Sequence, residues 1–187
     1  MVKGGLRLLC GGCVGTLVML SLPALVFAGK VTDNAKDAAK VLDEGKLTLA
    51  KVIEAAEADT KGKACCVMAV KKDAATMFAV HTNAAGKCMV ANVDKSGKVM
   101  GKADAKPDDC KDAKCGDGSK MMTDGKVALA SAVGAAEADT KGKATAVSAD
   151  ANGFMVAVVL ADKVWSVTVG KDGKVSKKEE VQPIKGG

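Results

Sequence analysis

Apolar residues recur at helical spacing in two places along the chain. Leu49, Val52, Ile53 and Ala56 make one stripe, and Leu129, Ala132, Val133 and Ala136 make another. Each stripe runs into a Lys-Gly pair, Lys61-Gly62 and Lys141-Gly142, which predicts a helix that stops with glycine in the left-handed conformation. Thr48 has a hydroxyl to cap the first helix, whereas Ala128 at the same place in the second has none. After each helix the period falls to two. The alternation predicts strands over residues 64–71, 76–83 and 87–93, and again near 144–149, 153–161 and 163–169. Trp165, Val167 and Val169 alternate with Val164, Ser166 and Thr168, the pattern of a sheet with one face on a helix and one toward water. The matching strand turns Met89, Ala91 and Val93 inward and leaves Cys88, Val90 and Asn92 on the wetter face. A short leading helix over 32–44 is amphipathic through Ala35, Ala38, Ala39 and Leu42.

The two halves are copies. AAEADTKGKA occurs at 55–64 and again at 135–144, an offset of 80 residues, and the later strands align at 76. The chain therefore divides into a leader (1–28), a leading helical segment (29–45), unit 1 (46–104), a linker (105–125), unit 2 (126–180) and a tail (181–187). The expected fold class is α+β, with two tandem units, each a helix packed on a small antiparallel sheet of three or four strands. Only Phe78, Phe154 and Trp165 supply aromatic bulk after the leader, so two small cores are expected rather than one large one. Within the repeated letters, Ala56 and Ala136 point to the sheet. Glu57, Asp59, Lys61 and their copies are expected to face water, which makes their identity a mark of duplication rather than of packing.

The helix opening Leu47-Thr48-Leu49-Ala50-Lys51-Val52-Ile53 and the closing turn Val93-Asp94-Lys95-Ser96-Gly97-Lys98-Val99 together resemble the PepSY domain family. The second copy closes on Val169-Gly170-Lys171-Asp172-Gly173-Lys174-Val175, with glycine in place of the aspartate. The family usually carries a tyrosine in the middle strand; this chain has no tyrosine, and Phe78 and Phe154 stand nearest. The resemblance implies a small antiparallel sheet curled on a helix and no catalytic residues. It also implies an exported bacterial protein that restrains a peptidase, as PepSY units in peptidase propeptides are thought to do. Tandem helix-plus-sheet units are similar, in architecture alone, to secreted β-lactamase inhibitor proteins.

The N-terminus reads as an address. Lys3 and Arg7 precede an apolar run at 14–27, and Val26 and Ala28 suit signal peptidase, so cleavage is expected between Ala28 and Gly29. Cys10 and Cys13 precede that run and form no lipoprotein box, and no later stretch is apolar for long enough to span a membrane. Export to a periplasmic or secreted location, without stable membrane insertion, is the expectation. The net charge of +6 is spread among alternating acids and bases, with neither a basic cluster nor stacking aromatics, so no nucleic-acid partner is expected.

Five cysteines follow the leader: Cys65, Cys66, Cys88, Cys110 and Cys115. An oxidising compartment permits disulfides, and the odd count leaves at least one thiol over. The preferred pairing is Cys110 with Cys115, and Cys88 with Cys65 or Cys66, since a vicinal Cys65–Cys66 bridge would be strained. The Cys110–Cys115 loop has neither redox spacing nor a histidine partner. His81 is the only histidine, expected at a strand surface or edge, and no zinc, phosphate-loop or nucleophile motif is present. Methionines 68, 77, 89 and 100 are read as core filler where aromatics are scarce. No catalytic residue, metal site or cofactor is expected.

The function expected is a non-enzymatic binding module that inhibits or modulates a peptidase by surface contact. Two alternatives stand beside it: an envelope protein handling metal or thiols through the unit 1 and linker cysteines, and a structural or assembly-linked repeat protein. The protein partner and the oligomeric state stay open.

Overall fold

The structure, a computed structural model, describes residues 31–72, 75–105, 118, 120 and 127–182. The expected leader and its expected cleavage point at Ala28–Gly29, and Cys110 and Cys115 with their expected pairing, lie outside the described residues. The elements in chain order are α1 (Val31–Glu44), α2 (Leu49–Thr60), β1 (Lys63–Lys72), β2 (Ala75–Ala84), β3 (Lys87–Val93) and β4 (Val99–Asp104). The second half follows with α3 (Leu129–Thr140), β5 (Lys143–Asp150), β6 (Gly153–Leu160), β7 (Lys163–Gly170) and β8 (Val175–Glu180).

The expectation of two separate helix-on-sheet units is wrong. The strands form one eight-stranded antiparallel sheet in the order β4-β3-β2-β1-β5-β6-β7-β8. Each half is a four-stranded meander, and the two join where β1 pairs with β5, Cys66 opposite Ser148 and Val67 opposite Val147. Val67 and Val147 occupy the same place in the two copies, so each half meets the other through the same strand, as in a two-fold dimer. The physical reason is the open edge. A lone meander would leave β1, with its run Ala64 to Val67 buried, as an unpaired apolar edge; pairing satisfies its backbone and hides its side chains.

The two expected cores are likewise one. Leu49, Ile53, Phe78, Val80 and Val93 from the first half share a continuous cluster with Leu129, Val133, Phe154, Val156 and Val167 from the second. Helices α2 and α3 pack against each other and on the same side of the sheet. Helix α1 buries Ala35, Ala38, Ala39 and Leu42, as its periodicity predicts, and lies across the join against β1, β2, β5 and β6. Its carboxylates reach both halves: Asp37 pairs with Lys71 at 2.6 Å, and Asp43 with Lys143. The pairing with Lys71 holds the Asp37 carboxyl below its ordinary range, by hydrogen bond first and charge second.

The helix caps follow the sequence at one end and differ at the other. Thr48 accepts from the Lys51 N–H at 3.3 Å, while Ala128 makes no side-chain cap. At the C-terminus the left-handed residues are Lys61 (φ 57°) and Lys141 (φ 60°), not the glycines that follow. The glycines are required for space instead. A Cβ on Gly62 would lie 2.8 Å from the Asn83 carbonyl oxygen, and one on Gly142 would lie 2.7 Å from that of Val159.

Candidate functional site

With the helices on one face, the opposite face of the first half collects the residues that can bind or react. The strand β1 carries a bulge between Ala64 and Cys66. Alternation along a regular strand would send Cys65 and Cys66 to opposite faces. The extra residue of the bulge instead lets both leave the helix-side core, which takes Ala64 before them and Val67 after. Both cysteines are fully or nearly fully buried, and the half-buried Met68 and Cys88 pack against them. The Cys65 thiol donates to the His81 carbonyl at 3.4 Å.

His81 sits in an interior strand, directly across from Cys66 on β1 and from Val90 on β3. Directly opposed residues share a face, so its imidazole rises beside the Cys66 thiol, with Cβ atoms about 5 Å apart. The expectation of a surface or edge histidine is corrected: the residue lies in an interior strand and is only 6% exposed. Its Nδ1 is buried and has no hydrogen-bond partner among the described residues.

The second half has the same bulge, between Ala144 and Ala146, and the same bond in another chemistry: the Thr145 hydroxyl donates to the Ala157 carbonyl at 3.3 Å. Strand register then matches Cys65, Cys66, Met68, His81 and Cys88 with Thr145, Ala146, Ser148, Ala157 and Val164. Among the described residues, the cysteines and the histidine of this face lie in the first half, while the second half places Met155 on it. Sequence reading had the cysteines and the histidine but not their convergence, because a bulge leaves no mark in the apolar pattern. The difference between the copies was the available signal.

No disulfide among the described residues joins Cys88 to Cys65 or Cys66. No group of three His, Cys, Asp or Glu side chains is already gathered as a metal centre among them. Nor does any described helix have the length and apolar character to cross a membrane.

A second feature lies at one end of the sheet. Among the described residues strand β4 is paired only on its β3 side, and Met100 through Asp104 are exposed. Met100, expected in the core, is 58% exposed. Beside it a cleft of about 470 Å³ is lined by Val41, Thr76, Met77, Asp94, Lys95 and Met100. Strand β8, at the far end, is covered in lysine and glutamate, the charge pattern that discourages edge pairing.

No family model matches the chain, and no curated protein matches it. Among solved structures, a crystal structure of a "putative lipoprotein" from Clostridium difficile 630 aligns at 12% identity with a TM-score of 0.41, covering 68% of this chain and 89% of that one. That likeness is too slight to carry an argument about either fold or function.

Proposed function

We propose that the chain is an exported, non-enzymatic binding module, with PepSY-like halves, that restrains a peptidase by offering it the β4 edge. The single observation behind this reading is β4 itself: an exposed terminal strand, less charged than β8, with the half-exposed Met100 beside a cleft. A peptidase holds its substrates as extended strands, so such an edge presents backbone groups in the form an active-site cleft accepts, and Met100 is an apolar anchor. The location would be periplasmic or secreted, in keeping with the expected signal sequence.

The test is a pull-down from the exported fraction with peptidase assays on what is captured, repeated with Met100→Lys. Inhibition by the parent and at least tenfold weaker inhibition by the variant are expected. Capture of no peptidase, and no effect on exported proteolysis, would sink the reading.

A further inference from the structure

We propose that Met100 is a site of selective oxidation to the sulfoxide, a modification that strips the β4 edge of its apolar anchor and leaves the fold intact. Three observations carry it. Strand β3 pairs Val93 with Val99 and Asn92 with Gly101, so Met100 is the extra residue of a bulge and has no partner on β3. Val99 beside it packs on the core, while Met100 itself is 58% exposed next to the cleft. The other described methionines, Met68, Met77, Met89 and Met155, are half-buried. Finally, the second half keeps the bulge between β7 and β8 and places the exposed Ser176 in it, its hydroxyl donating to the Thr168 carbonyl at 3.3 Å. The fold accepts a polar oxygen at this position, so packing does not demand a methionine there.

A peroxide supplies the oxygen. Its O–O bond breaks, a sulfur–oxygen bond forms on Met100, and the second oxygen leaves as water. The thioether gives up two electrons and the peroxide takes them, so no metal or thiol is needed. Reach selects the methionine that reacts, because its sulfur must meet the oxidant in solvent. The product is polar where the thioether was apolar. At a half-buried methionine the new oxygen would be forced into packed surroundings, whereas at Met100 it stays in water. The modification itself stands on exposure and the bulge alone. Its consequence for a bound peptidase, the loss of the Met100 contact, rests on the reading of the β4 edge given above.

The experiment exposes the full chain to hydrogen peroxide, quenches it with catalase at successive times and maps the peptides by mass spectrometry. Met100 should take up oxygen at least about fivefold faster than Met68, Met77, Met89 or Met155. The treated chain should keep the circular dichroism and urea midpoint of the parent. Met100→Ser, which puts in the residue of the second half and is treated alike, reads the effect of oxidation elsewhere in the chain. Met100 reacting no faster than the half-buried methionines overturns the proposal, as does a midpoint that falls in the parent but not in Met100→Ser. Where the parent inhibits a captured peptidase, oxidation at Met100 should weaken that inhibition about tenfold, and equal inhibition also overturns it. Capture of no peptidase counts against the reading of the β4 edge, and the mapping then decides the oxidation site by itself.

Discussion

Most letters of the repeated AAEADTKGKA have a structural task, and each task is performed twice. Glu57 accepts from the Ala64 N–H at 2.8 Å, and Glu137 from that of Ala144 at 2.9 Å, so each carboxylate ties a helix to its first strand. Thr60 and Thr140 donate to the carbonyls of Ala56 and Ala136 and accept from the N–H groups of Gly62 and Gly142. Asp59 meets Lys102, and Asp139 meets Lys178, both at 3.0 Å. The expectation that Glu57 and Asp59 were identical between copies merely through duplication is therefore revised. Glu57→Ala and Glu137→Ala should each cost about 1–2 kcal/mol, because a strand N–H loses a charged acceptor; urea unfolding reads this directly. Gly62→Ala should cost about 1–3 kcal/mol, since its Cβ would press on a carbonyl in the next strand, whereas exposed Lys51→Ala should be nearly neutral. The buried stripes of α2 and α3 were legible from spacing alone. The carboxylate ties were not, because their partners are N–H groups that only the finished turn brings within reach.

Among the elements, the turns between paired strands show how the copies have been rewired. In the β3–β4 turn Asp94 accepts from the Ser96 N–H at 2.8 Å, the Ser96 hydroxyl at 2.6 Å and the Lys98 N–H at 3.0 Å. The β7–β8 turn has Gly170 in that place and moves the carboxylate to Asp172, which accepts from the Lys174 N–H at 3.1 Å. This is turn chemistry, with the oxygens committed to the turn's own donors. The Ser96 hydroxyl, then the Lys98 and Ser96 N–H groups, hold the Asp94 carboxyl below its ordinary value of 3.8, against the opposing effect of burial. A depressed carboxyl stabilises the folded state fully above 3.8 and loses that contribution as pH falls through its lower folded value. Asp94→Asn should therefore lower stability by about 1 kcal/mol at neutral pH and flatten the acid limb of a stability–pH curve. Sequence alternation placed six of the eight strands to within a residue, and missed the outer strands β4 and β8, whose polar residues show no alternation. It hid the bulges of β1 and β5, which shift a strand's facing by one residue without altering its composition.

For the whole molecule, the join between the halves decides how the protein unfolds. The sequence held a clue to that join: β1 is apolar along Ala64 to Val70 rather than alternating, as a strand buried on both faces must be, while β4 and β8 are polar. The repeat pulled the reading toward two independent units because a duplicated pattern says nothing about which edges pair. One continuous core and an antiparallel β1–β5 seam couple the halves, so a single cooperative transition is expected rather than two. Trp165 reports on this, since it lies in the second half and packs on the shared core. Val80→Ala, deep in the first half and fully buried, should cost about 1–3 kcal/mol. It should lower the midpoint seen by Trp165 fluorescence as much as that seen by far-ultraviolet circular dichroism, by about 2–4 °C for each kcal/mol. Independent units would leave the tryptophan transition where it was and shift only part of the dichroism. A Val67→Ala and Val147→Ala double-mutant cycle sharpens the comparison: these residues face each other across the seam, so their costs should couple by at least about 0.5 kcal/mol, while Val80→Ala and Val169→Ala, in strands not paired with each other, should add. Coupling at the seam together with a shared midpoint would mark the duplicated halves as one folding unit, and additive costs with separate midpoints would return them to two.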